Sequence, residues 1–88
     1  MRTYIWWEYD VLGNEQDGWV VNDRSCSCCA CDLRGDETDE EIILACELDP
    51  NLYEVDGNGD PDFSIEIVRK RDGKPLGQLV PEEFCVQY

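Results

Sequence analysis

The chain has no histidine, one methionine and only 7 basic residues against 21 acidic ones. It also has no apolar run near the ~18 residues that a membrane-spanning helix requires. Each shortage excludes something. Without histidine there is no ordinary Ser-His or Cys-His catalytic pair, and no glycine-rich phosphate loop of the mononucleotide or dinucleotide type is present. General acid–base work by paired carboxylates needs a concave pocket to separate their pKa values, for which a chain of 88 residues is expected to leave little room. No enzymatic activity and no catalytic residue are therefore expected. A formal net charge of −14 repels a phosphate backbone at long range, so the expected partner is a basic protein surface, with neither direct nucleic acid nor a membrane. The start, Met1-Arg2-Thr3-Tyr4, moves straight into an aromatic pattern with no apolar signal region. The expected compartment is cytoplasmic, where thiols stay reduced and six cysteines do not imply three disulfides.

What is present argues for a folded domain. Hydrophobic residues make up 42% of the chain, including Trp6, Trp7 and Trp19, which is more apolar surface than disordered chains carry. Residues 1–88 read as a single small domain. Ile5, Trp7, Tyr9 and Val11 recur at period two, the pattern of a strand with those residues in the core and with Tyr4 and Trp6 on a partly covered outer face. Residues 13–18 are a loop, and a second extended run continues from Trp19 to about Cys31. Thr38-Asp39-Glu40-Glu41 has the capping-box pattern, with three acids where the helix dipole favours them. The helix it opens carries Ile42, Ile43, Ala45 and Cys46 on its apolar side and is expected to run about three turns, ending by Asp49 ahead of Pro50. Being marginal alone, it must lie against a sheet. Leu52–Val55 has room for a short strand, Phe63, Ile65 and Ile67 alternate with Ser64 and Glu66, and Asp72-Gly73 marks a hairpin turn before Leu76–Val80. The expected fold is α+β: a small antiparallel sheet with one short helix packed across it, in the order β-β-α-(β)-β-β.

Tyr9-Asp10-Val11-Leu12-Gly13-Asn14-Glu15-Gln16-Asp17-Gly18-Trp19-Val20-Val21-Asn22-Asp23, the Thr-Asp-Glu-Glu helix start and the later Asp-Gly-Lys-Pro-Leu-Gly together resemble small uncharacterised phage and prophage proteins over residues 4–80. The resemblance implies a small accessory protein acting inside a bacterial host cell. It carries no catalytic residues, and the cysteine cluster departs from it.

Two constellations could carry chemistry. Six of the ten residues from Asp32 to Glu41 are acidic (Asp32, Asp36, Glu37, Asp39, Glu40, Glu41), offset only by Arg34. Carboxylates set a few ångströms apart imitate phosphates, which bring one charge per ~1.7 Å of duplex axis. These six are the candidate partner-binding residues of an inhibitor or nucleic-acid mimic, directed at a host or defence protein that handles nucleic acid. The bland alternative is solubility, with three of them serving the helix cap.

The second constellation is Cys26-Ser27-Cys28-Cys29-Ala30-Cys31. Four thiolates suit zinc or a soft metal, so Cys26, Cys28, Cys29 and Cys31, with Cys46 as a distant ligand, form the alternative reading of a small metal-binding module. On a regular strand, however, Cys26 and Cys28 face away from Cys29 and Cys31, and burial of cysteine as a small hydrophobe competes with ligation. No cofactor is expected on that second view. Asp56, Asn58 and Asp60 open like a calcium loop but fail at Pro61 and Ile67. Arg69, Lys70, Arg71 and Lys74 form the only basic island of the sequence, expected at a solvated hairpin tip.

Overall fold

The structure is a computed structural model that describes residues 1–56 and 64–84, leaving aside the side chains of Ser27 and Cys28. Its described residues form an antiparallel sheet with one short helix. The strands are β1 (Arg2–Asn14), β2 (Gly18–Leu33), β3 (Tyr53–Val55), β4 (Ile65–Arg69) and β5 (Pro75–Pro81). They lie in the order β2-β1-β5-β4-β3, with helix α1 (Asp39–Ala45) between β2 and β3 in sequence. The chain thus places its two longest strands at one side of the sheet and its shortest at the other. β5 is central, and its two prolines lie at its ends, where a missing amide costs least.

Helix α1 covers one face of the sheet. Tyr4, Leu33, Ile43, Ile65, Ile67 and Leu79 make the buried core, with Trp6, Cys31, Ile42, Cys46, Leu48, Tyr53, Val55 and Leu76 packed against it. This reverses the expected facing of β1. Tyr4 and Trp6 point under the helix, while Ile5, Trp7, Tyr9 and Val11 lie half-buried on the other face. The reason is in β5. Gly77 has no side chain, and the Trp6 ring occupies that space; a Cβ there would come within 2.6 Å of Trp6 Cη2 and collide with the Trp7 carbonyl. A large ring laid over a strand glycine fills the gap its missing side chain leaves.

The helix is shorter than its sequence predicts. The capping box forms: the Thr38 hydroxyl accepts from Glu41 N–H at 3.3 Å, and Thr38 N–H donates to the Glu41 carboxylate at 3.4 Å. At the other end Glu47 turns left-handed at φ 61°, well before Pro50. Leu48 N–H then reaches the Ile43 carbonyl at 3.1 Å and Glu47 N–H the Leu44 carbonyl at 2.9 Å. These two bonds make a Schellman cap, ended by glutamate where glycine is usual. Ile43 alone is buried on the helix, whereas Ala45, expected on the apolar stripe, is exposed.

The β4–β5 connection is a four-residue loop rather than a two-residue turn. Gly73, at φ 75°, donates to the Arg69 carbonyl at 2.7 Å, and Arg69 N–H meets the Lys74 carbonyl at 2.9 Å. No helix among the described residues is long and apolar enough to cross a membrane.

Candidate functional site

The acidic segment runs from the last residues of β2, across the loop, into the first turn of α1. Its six acids divide by what holds them. Asp32 accepts the Thr3 hydroxyl at 2.6 Å. Glu37 accepts two loop amides, Arg34 N–H at 2.7 Å and Gly35 N–H at 2.8 Å. The Arg34 amide, first, and then that of Gly35 hold the Glu37 carboxyl below its ordinary pKa, because they bind only the ionised form well. Glu41 closes the capping box. Asp36, Asp39 and Glu40 are left fully exposed. Arg34 is the segment's only cation, and it is shared between Asp36 at 3.3 Å and Glu41 at 3.4 Å. The arrangement is a ribbon of carboxylates along the chain, on a loop and helix start that Glu37 and Glu41 hold in shape.

The cysteines are parted by an irregularity in β2. Tyr4 pairs with Cys31 and Ile5 with Ala30, but the next pair is Trp7 with Cys26, so residues 27–29 stand opposite Trp6 alone. Cys26 lies beside Trp7, on the face away from the helix. Cys29, Cys31 and Cys46 instead line one groove of about 540 Å³ between β2, the end of α1 and the sheet, together with Trp6, Tyr53 and Leu76. This is more concavity than was expected of so short a chain. Glu8 and Glu47 also border it. The structure therefore brings Cys46 to two of the cluster's cysteines and leaves Cys26 apart. Among the described residues no group of three or more Cys, Asp or Glu is placed to hold a metal ion. Burial pushes the Cys46 thiol up to about 12, with Cys31 adding to the shift, and burial likewise raises Cys31, helped by Asp32 and Glu37. Both are thus protonated thiols at neutral pH and poor as nucleophiles. Cys28 as a ligand, Cys85 and the Asn58–Asp60 part of the calcium-like loop lie outside the described residues.

The basic island is partly occupied. Arg69 grips the Asp72 carboxylate with Nε at 2.9 Å and Nη2 at 2.5 Å, and Asp72 also accepts Lys74 N–H at 3.2 Å. That guanidinium holds the Asp72 carboxyl down at about 2. Trp19 reaches across from β2, donating its indole N–H to the Asp72 carbonyl at 3.0 Å, while Lys74 lies 5.9 Å from its ring centre. The hairpin tip is a structural knot, which leaves Lys70 and Arg71 to solvent.

The groove was not foreseen because its lining comes from β1, β2, the end of α1, β3 and β5, segments whose approach no local pattern encodes. Compared with known proteins, the chain matches no family model, no curated protein and no solved structure.

Proposed function

We propose that this chain is a non-enzymatic, acidic, phage-type accessory protein that binds a basic protein surface in the cytoplasm of a bacterial host. The partner it suits is one whose lysine- and arginine-lined groove ordinarily takes nucleic acid, and occupancy of that groove would inhibit it. The carboxylate ribbon of residues 32–41 carries the reading. Asp32, Glu37 and Glu41 are fixed by Thr3, by loop amides and by the helix cap, so Asp36, Asp39 and Glu40 are presented on a backbone already ordered. Binding such a display costs little further ordering, and its charge steers association.

The test is affinity capture from bacterial lysate at low and high salt, followed by titration of the captured protein. Asp36→Asn, Asp39→Asn and Glu40→Gln together remove three charges without touching the bonds of Glu37 or Glu41. Binding should fall steeply as salt rises through 0.1 M, where the screening length is ~10 Å, and the triple variant should associate more slowly while losing only the ~0.3–1 kcal/mol that each of Asp39 and Glu40 gains from the helix dipole. A partner whose affinity ignores both changes overturns the proposal.

A further inference from the structure

We infer that β2 is a self-association edge, along which two copies of the chain pair antiparallel through residues 24–32 about a two-fold axis at residue 28. It rests on different observations from the basic-partner reading, with which it shares only Asp32.

Among the described strands, β2 has a partner on its β1 side only. It runs 16 residues, whereas β3, the other edge of the sheet, runs three. Short edges are protected; long ones present a row of backbone donors and acceptors to another strand. Edges of that length are ordinarily guarded by lysine, proline, inward charge or a β-bulge. Here Ser25-Cys26-Ser27-Cys28-Cys29-Ala30-Cys31 carries no charge and no proline, in a chain of net charge −14.

The charges at the two ends of that neutral run identify the occupant. Arg24 stands before it and Asp32 after it. An antiparallel pair with residue numbers summing to 56 sets Arg24 of each copy opposite Asp32 of the other, and sets neither acid of β2 opposite another acid. A two-fold interface repeats every contact, so the complementarity counts twice. Facing agrees as well. Arg24 lies over the Tyr9 ring at 5.4 Å and Asp32 takes the Thr3 hydroxyl, so both project on the face away from the helix, as opposed residues of an antiparallel pair must. Both are exposed and able to exchange partners. The irregularity opposite Trp6 is the one such guard on this run; a two-fold at residue 28 places it at the same point of both strands, so the pairing on either side keeps one register.

The global charge works against this contact, so it should be weak at low salt and strengthen as salt screens the repulsion between two acidic bodies. That is the opposite trend from capture of a basic partner, and it separates the two proposals. The experiment is sedimentation equilibrium under reducing agent at about 0.5 M salt, where repulsion between exposed charges is largely screened. The wild-type chain should dimerise. Arg24→Glu alone and Asp32→Arg alone each oppose like charges twice and should weaken the dimer by about tenfold or more. Mixing the two single variants restores both pairs in a heterodimer, and the double variant Arg24→Glu/Asp32→Arg restores them in a homodimer. Hydrogen exchange of wild-type amides 25–31, which needs no variant, should slow as protein concentration rises. A chain that stays monomeric up to about 1 mM, a dimer indifferent to both single changes, or exchange at 25–31 that ignores concentration overturns the inference.

Discussion

Replacing Glu47 by glycine should make the protein more stable, although it deletes a side chain and adds flexibility. Glu47 is the described non-glycine residue with positive φ, at 61°. A left-handed conformation costs an ordinary residue ~1–2 kcal/mol through the clash of its Cβ with the following carbonyl. Its charge is also of the wrong sign, since a carboxylate two residues past the end of α1 meets the negative end of the helix dipole, worth ~0.3–1 kcal/mol. Its carboxylate takes part in no hydrogen bond or ion pair among the described residues. Against these gains, glycine loosens the unfolded chain by ~0.5–1 kcal/mol. The balance favours Glu47→Gly by about 1 kcal/mol, a rise of ~4–8 °C in Tm for a domain of this size. Glu47→Ala separates the contributions, because it relieves the charge but keeps the strain, and should gain only the smaller electrostatic share. Thermal and urea melts of the three proteins decide it. A glycine variant no more stable than the alanine variant would refute the left-handed cap, and with it the reason α1 stops at Ala45.

Other perturbations probe the rest of the molecule. Thr38→Ala should cost about 1 kcal/mol by removing the cap, and Ile43→Ala ~2–5 kcal/mol by opening the core; a urea titration showing the reverse order would mean that α1 does not dock on the sheet. Because Arg69 holds the Asp72 carboxyl at about 2, below its ordinary 3.8, the hairpin's contribution is complete above about pH 4 and is lost as pH falls through 2. Tm against pH should therefore drop through that window in the wild type and less in Asp72→Asn; identical profiles would show that the pair does not support the hairpin. Cys46→Ser, which desolvates a hydroxyl in the groove, should cost ~1–3 kcal/mol, while Cys29→Ser at an exposed position costs little, and chelator should leave Tm unchanged. Equal, large losses at both positions with stoichiometric zinc by elemental analysis would establish a metal site instead.

An antiparallel sheet with one short helix was legible because its signals are local. Thr38 and Glu41 announce the helix start in four residues, and Ile65 and Ile67 alternate cleanly with Glu66. The facing of β1 was not legible. Tyr4 and Trp6 on one parity are as apolar as Ile5 and Trp7 on the other, so period two cannot choose between them. The choice is made by Gly77, 71 residues away from Trp6 in sequence, which alone leaves room for the indole under the helix. The helix end was hidden for a different reason: glutamate has no preference for the left-handed region, so nothing at position 47 marked a cap. In the acidic segment the residue types were legible but their division of labour was not. The sequence offers six equivalent carboxylates; only backbone geometry shows that Glu37 folds the loop while Asp39 and Glu40 do not.

That division bears on what the charge is for. The described core of Tyr4, Leu33, Ile43, Ile65, Ile67 and Leu79 contains no buried polar or charged side chain, so no carboxylate is needed to complete it. A handful do local work: Asp72 in the hairpin, Glu37 in the loop, Glu41 in the cap. Others make local contacts, Asp32 with Thr3, Asp10 with Asn22 and Asp36 with Arg34, and Asp39 and Glu40 sit in the first turn of α1 where the dipole favours them, yet each also adds to the self-repulsion of a compact body of net charge −14. Solubility needs far less, since a net charge of magnitude ~2–8 suffices for a small domain. The excess over that need is concentrated in residues 25–50, where eight acids face Arg34 alone. The same residues adjoin the end of β2, whose neutral run is the one long stretch of edge from which charge has been kept away. On the two proposals, charge gathered on the loop and withheld from the edge would divide the surface into two kinds of contact: one that attracts cations from a distance, and one that admits another strand once repulsion is screened.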